Sequence, residues 1–391
     1  MYLEAEDEKI LAGEYGETRR KMMEILVALG KVFGAEKMVP ITSAQVAGAS
    51  YKTIGEWGLE WIRSLDARVA VPTVLNPIGM PREGWREMGI EEKFATKQLE
   101  VLDAYRRLGI KLECTCTPYY LNITRYGDHL AWSESSAVSY ANSVIGARTN
   151  REGGPSALAA AIIGKTPYYG LHIWENRMPQ VIIDVEGADA LHRDQYGALG
   201  YLAGKEVGNR IPLFRGIRPS RDQLKALGAA MAATGAVALY HVEGITPESR
   251  VLSERGEDIS ALEMITISAS EVQALYGGMP VDAVAIGCPH CSEDELDAIA
   301  SLLKGKKVVK PLFVFAARGV IEANRRAVAM IEKSGARVWA DTCMVVSPAM
   351  ERFASIMVNS GKALAYVPNM CGASSRIGTL EECVAEALAH S

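Results

Sequence analysis

From about residue 206 onward the chain alternates short apolar runs with amphipathic helical stretches, and this rhythm restricts it to few folds. Helical spacing marks Arg221–Thr234, Glu293–Leu303, Gly319–Ser334 and Leu380–His390. Strand-like runs mark Ala236–Val242, Val281–Ile286, Lys307–Phe315, Ala336–Ala340 and Ala363–Val367. Strand, helix and strand in succession close most readily as a parallel sheet covered by helices. The first half is less regular, with helices expected at Gly16–Phe33 and Lys93–Leu108 and strands at Val69–Leu75, Lys111–Cys116 and Val181–Val185. The expectation is an α/β protein of two lobes with largely parallel sheets, residues 1–205 and 206–391, joined through Gly187–Arg210. A chain of 391 residues can bury a core in each lobe.

Charge excludes two partner classes. Lys and Arg number 42 against 47 Asp and Glu, a net of -5, with no long block of one sign, so neither nucleic acid nor a membrane surface is expected as partner. The N-terminus carries Glu4, Glu6, Asp7 and Glu8 instead of a basic stretch leading into an apolar one, and no apolar run is long enough to span a bilayer. A cytoplasmic protein acting on a small molecule, or alongside another protein, is expected.

In such a compartment thiols stay reduced, so the positions of the seven cysteines matter more than their odd number. Cys116 ends an expected strand, and Cys288, Cys343 and Cys371 each follow one. In an open parallel sheet the carboxyl ends of the strands form the crevice where ligands bind, which would let distant thiols converge. Three thiolates can hold an iron-sulfur cluster and leave one iron open to a substrate oxygen. The plain alternative is that each cysteine is a small buried hydrophobe. Cys114 and Cys383 read as core. Cys291 forms a CxxC with Cys288, but no second such pair completes a zinc ribbon.

Three further segments bear polar groups where a crevice would need them. Val46–Ser50 is a small-residue turn whose backbone N–H groups at Gly48, Ala49 and Ser50 suit an anion, or merely a tight turn. Asn76 and Pro77 close the expected strand Val69–Leu75 as a turn or as a rim. The stretch from Trp132 to Pro155 packs hydroxyls, amides, carboxylates, Arg148 and Arg151 with little to bury, within a region, residues 119–169, read as binding loops. Glu134 suits acid-base work, and the arginines suit a carboxylate clamp or an internal ion-pair network. His172, His241 and His290 read as structural.

Taken together, Trp132-Ser-Glu-Ser-Ser136, Gly146-Ala-Arg-Thr-Asn-Arg-Glu-Gly-Gly-Pro155, Cys116-Thr-Pro-Tyr119, Gly287-Cys-Pro-His290 and Asp341-Thr-Cys343 resemble the aconitase X family, over nearly the whole chain. The resemblance implies an aconitase-like catalytic core lacking the swivelling domain and an iron-sulfur cluster, taken as 4Fe-4S, on Cys116, Cys288 and Cys343, with Cys371 as substitute. It implies Glu134 and Ser135 near the reacting carbons. It also places substrate contacts at Gly48, Ala49, Ser50, Asn76, Pro77, Glu134, Ser135 and Lys362, with Arg148 as the arginine that would join Lys362 around a phosphate. Family members occur as one fused chain or as separate large and small subunits. A chain ending after Leu380–His390 is expected to be a separate large subunit, in a heterodimer or heterotetramer with a small swivelling subunit that supplies the base. The implied reaction is dehydration of (R)-5-phosphomevalonate to trans-anhydromevalonate 5-phosphate in a modified mevalonate pathway, or otherwise of cis-3-hydroxy-L-proline. True aconitases carry a paired CxxC ligand pattern that this chain lacks. Outside enzymes, an iron-sulfur redox sensor or a metal-free α/β binding protein would share the thiols without needing the polar stretch at 132–155.

Overall fold

The computed structural model describes residues 1–256 and 259–389. Among them three parallel sheets follow one another along the chain. The first has strands in the order Thr73–Leu75, Ser43–Val46, Leu130–Trp132. The second runs His241–Val242, Pro212–Arg215, Val181–Glu186, Met264–Ser268. The third runs Arg337–Trp339, Leu312–Ala316, Ala283–Cys291, Ser355–Val358, Ser374–Ile377. A short antiparallel pair, Met38–Pro40 with Lys165–Pro167, flanks the first sheet. The α/β architecture with parallel sheets is as the alternation predicts. The expected division at 205/206 falls inside the helix Tyr196–Val207, and the second sheet draws strands from both sides of it. Gly187–Arg210 is thus a covering helix with its approach turns.

Local signals explain the elements that sequence reading located best. Arg221–Thr234 and Glu293–Leu303 each start at a serine, Ser220 and Ser292, whose hydroxyl accepts from the third helical N–H while the Gln or Glu there reaches back. Gly319–Ser334 is two helices, Arg318–Ala323 and Arg325–Lys333, broken at Asn324. His390 lies outside the described residues.

Lys111–Cys116, read as a strand, makes only the isolated bridge of Cys114 to Leu75. Two further expectations fail for physical reasons. Residues 119–169, read as loops, contain the helices Ser135–Tyr140 and Gly154–Ile163. The second of these is buried on all sides, so it lacks the one-sided period that betrays a helix. Its small residues let it press on the first sheet: a Cβ at Gly154 would stand 2.7 Å from the Ala47 carbonyl oxygen. Ala363–Val367, read as a strand, is the start of the helix Gly361–Cys371, capped by Ser360. The β-branched and apolar spacing suited either structure. Cys371 therefore ends a helix and not a strand.

The sheets are held edge to edge. Ile78, just past the first sheet, bridges to Thr342, just past the third, and its N–H donates to the Asp341 carbonyl at 2.8 Å. Helix Tyr196–Val207 meets the start of Gly361–Cys371 through two glycines, Gly197 and Gly361; a Cβ on Gly361 would overlap the Gly197 carbonyl. This close approach fixes where Lys362 stands. No helix among the described residues is long and apolar enough to cross a membrane.

Candidate active site

All three strands of the first sheet end at one edge, and each hands over to an expected site segment: Ser43–Val46 to Gly48–Ser50, Thr73–Leu75 to Asn76–Pro77, Leu130–Trp132 to Ser133–Ser135. Cys114 bridges Leu75 in parallel, which carries Cys116 to the same edge. Gln45, fully buried below, ties this edge together, donating to the Thr115 carbonyl at 2.8 Å and accepting from the Glu134 N–H at 3.3 Å.

Gly48 takes a left-handed φ of +81°, the conformation the small-residue turn required. Its carbonyl accepts from the Tyr105 hydroxyl at 3.1 Å and that of Ala49 from Gln98 at 2.7 Å. Ser50 caps helix Tyr51–Ser64 with its carbonyl, leaving its hydroxyl buried with no hydrogen-bond partner among the described residues. Asn76 Oδ1 and the hydroxyls of Ser133 and Thr342 are likewise unpartnered there. Buried polar atoms are rarely left so, and several of them in neighbouring turns mark a place built for a ligand.

Glu134 is the hub. One carboxylate oxygen accepts from Asn76 Nδ2 at 3.0 Å. The other accepts from Lys362 Nζ at 2.5 Å and from the Ser135 and Ser136 hydroxyls at 3.4 Å. Lys362, 5 % exposed, also donates to Ser136 at 3.1 Å. Burial alone would raise the Glu134 carboxyl, but the Lys362 ammonium outweighs it and holds it below the ordinary range, with Arg151 adding a little. Burial likewise works against the ammonium, and Glu134 together with the thiols of Cys288 and Cys116 holds its pKa up. The pair is therefore ionised on both sides.

Cys116, Cys288 and Cys343 stand in the same electrostatic neighbourhood: each feels Lys362 and Glu134, Cys116 also feels Cys343, and Cys288 feels both Cys343 and Cys116. Burial pushes the Cys116 thiol up to about 12 and raises Cys288 and Cys343, while the lysine pulls all three back. No disulfide joins them. They do not stand within 4.8 Å of one another, a spacing that among the described residues marks His192, Asp194 and Glu381, where Arg193 already pairs with both carboxylates. Sulfurs around one tetrahedral zinc stand about 3.8 Å apart. The three thiols together are not drawn in as closely as that.

Of the remaining cysteines, Cys371 packs in the same core cluster as Cys288 and Cys343 but donates to the Met344 carbonyl at 3.3 Å, Cys383 sits in the core of the third sheet, Cys114 packs in the core of the first sheet beside Asp341, and Cys291 lies beside Lys225 and Glu295. The arginine expected to join Lys362 does not: Arg148 donates to the His172 carbonyl at 3.0 Å and lies over the Trp174 ring. A cleft of about 800 Å³ has a different lining that includes Tyr119, Tyr140, Asp222 and Asp294.

Sequence reading gave no role to Gln45, His290 or Asp341. Asp341, buried with a left-handed φ of +68°, accepts from Arg82 at 2.9 Å and from Arg318, bracing the turn that carries Cys343. His290 is wholly buried between Thr115 and Thr342, and burial pushes it down to about 4. A histidine within a motif that also holds a cysteine was the one available signal.

Comparison with known proteins agrees along the whole chain. Residues 1–175 match the Aconitase X first domain, 179–277 the second and 281–389 the third. The phosphomevalonate dehydratase large subunit of Methanosarcina mazei is 55% identical, over 99% of this chain and 97% of that one. The cis-3-hydroxy-L-proline dehydratase of Pseudomonas aeruginosa is 33% identical, over 99% of this chain and 70% of that one. The crystal structure of Thermococcus kodakaraensis aconitase X in its holo-form superposes with a TM-score of 0.90 at 47% identity, covering 99% of this chain and 100% of that one.

Proposed function

The chain belongs to the aconitase X family, and on that premise we propose that it is the large subunit of a phosphomevalonate dehydratase. This hydro-lyase would take water from (R)-5-phosphomevalonate and leave trans-anhydromevalonate 5-phosphate, in a modified mevalonate route to isoprenoids. The choice of substrate is supported by the higher identity to the large subunit than to the hydroxyproline enzyme. The observation that carries the chemistry is the ionised Glu134–Lys362 pair set among three buried thiols at the ends of two parallel sheets.

Those thiols fit an iron-sulfur cluster. Cys116, Cys288 and Cys343 would hold it, as 4Fe-4S, while the hydrogen bond of Cys371 to Met344 supports leaving that residue out. When bound with one iron open, the cluster supplies a Lewis acid for the departing hydroxyl. The rest falls to side chains. The turn Gly48–Ala49–Ser50 offers the unpartnered Ser50 hydroxyl at the start of a helix, a place suited to one anionic end of the substrate. Lys362 meets the other anionic group. Asn76 holds Glu134 with its amide nitrogen and keeps Oδ1 free to accept from the substrate hydroxyl, with Pro77 fixing the turn. Glu134, with Ser135 beside it, stands against the reacting carbons as an ionised acceptor that orients that hydroxyl. As the C2–H and C3–O bonds break and C2=C3 forms, one water leaves.

The name large subunit says that the relative works with another subunit. For this chain the partner proposed is a small swivelling subunit that brings the base for the C2 proton, in a heterodimer or heterotetramer. Seven unpaired cysteines support a cytoplasmic setting.

The test is anaerobic co-purification with a candidate small subunit, followed by assay of water loss. Activity on (R)-5-phosphomevalonate and none on cis-3-hydroxy-L-proline is expected, with the large subunit alone inactive. Activity on hydroxyproline alone overturns the substrate, and activity of this chain without a partner overturns the division of labour.

A further inference from the structure

His290 touches all three chain segments that carry the clustered thiols. Its backbone N–H donates to Cys116 Sγ at 3.1 Å, its Nε2 lies 2.8 Å from the carbonyl of Thr342, the residue before Cys343, and it stands two residues after Cys288. Its Nδ1 lies 3.0 Å from the Thr115 hydroxyl, next to Cys116. That hydroxyl oxygen accepts the Thr117 N–H at 3.0 Å and lies 3.0 Å from the Thr117 hydroxyl, which can donate to it and leave its own hydrogen for Nδ1. A carbonyl can only accept, so Nε2 carries the proton and Nδ1 the lone pair. Every polar group of this residue is thus committed, its carbonyl included: Lys225 Nζ, on the second-sheet helix Arg221–Thr234, stands 3.4 Å from it and 2.5 Å from Glu295. The ring is 0 % exposed and reaches no substrate-facing side chain of the Glu134 group.

We propose that His290 is a positioning residue that holds the three thiols in register. Its ring pins the Cys116 and Cys343 turns to the strand that bears Cys288, and Lys225 anchors it from the second sheet. The inference rests on the cluster reading above. Residues that orient metal ligands, without touching the metal, typically change metal affinity about 10- to 100-fold when replaced.

The test uses the reconstituted two-subunit complex, loaded anaerobically with ferrous iron and sulfide. Iron loss to an external chelator is timed, and the electron paramagnetic resonance spectrum of the reduced cluster is recorded. His290→Leu removes both ring contacts. His290→Gln restores a donor for the Thr342 carbonyl. Thr115→Val removes only the hydroxyl. Iron release should quicken about tenfold or more in His290→Leu, with a changed spectrum, and less in His290→Gln and Thr115→Val. Melting of the iron-free complex separates this from misfolding; should His290→Leu not fold, the two milder variants decide. Wild-type release rates and spectra in every folded variant overturn the proposal while leaving the cluster intact. A wild-type complex that takes up no iron overturns the cluster reading, and this proposal with it.

Discussion

The first and third sheets face each other across the site with the same topology and opposite chemistry. Both are wholly parallel and both turn their carboxyl ends to the crevice. The first ends in Gly48–Ser50, Asn76 and Glu134, the groups proposed above to recognise and orient the substrate. The third bears Cys288 in the last residues of Ala283–Cys291, Cys343 just past Arg337–Trp339, and Lys362 on the helix between Ser355–Val358 and Ser374–Ile377. Cys116 is the exception: it arrives on the first sheet's edge but belongs by neighbourhood to the thiols. An open sheet end accepts any side chain, so two copies of one architecture can divide holding a cofactor from binding a substrate.

The division breaks down if the two sides do not respond differently to substitution. The largest effect is expected on the thiol side: Cys116→Ser, Cys288→Ser or Cys343→Ser should each lose most bound iron, measured colorimetrically, and with it activity by about a thousandfold or more. Lys362→Met comes next, because it strands Glu134. Losing one partner of a buried pair costs about 3–5 kcal/mol, read in denaturant unfolding. The same variant sharpens a pH effect. Glu134 titrates lower in the folded state than its unfolded value of about 4.3, so it contributes stability above that pH and loses it as pH falls through the lowered folded value. Without the ammonium, burial dominates and acid unfolding should begin at higher pH. A smaller effect is expected on the polar side. Asn76→Ala should keep its iron and raise KM about tenfold, the worth of about one hydrogen bond to a charged or polar group. The smallest is Cys371→Ser, expected to match wild type in iron content and spectrum. Iron loss from Asn76→Ala would erase the distinction between the two sides.

What the sequence revealed of this arrangement follows from how local each signal is. The turns at Gly48 and Asn76 were readable because the residues that make a tight turn are few, and the helices at Arg221 and Glu293 because capping serines announce them. Gly154–Ile163 was marked only by Pro155, which suits the first turn of a helix, since a helix apolar on nearly every face has no period to detect. Gly361–Cys371 was misread for want of a discriminating pattern, and Cys371 reaches the neighbourhood of Cys288 and Cys343 from the end of a helix and not of a strand. Lys362 was singled out, yet its partnership with Glu134 spans 228 positions and no local rule encodes it. Arg148 was paired with Lys362 by charge, while the structure turns it to the His172 carbonyl. The boundary at 205/206 overlooked that a helix covering a sheet can look like a link between lobes.

The bridge from Ile78 to Thr342 gives the molecule a history as well as a shape. A ribosome delivers these residues far apart in time, and until the later one emerges the wall bearing Gly48, Asn76 and Glu134 faces nothing. Cys116 is made early and waits, reduced and without its neighbours, while the whole second sheet is synthesised and folded. If these thiols hold the proposed cluster, whatever furnishes its iron must arrive after translation has passed Lys362, or else guard a lone thiol through the interval.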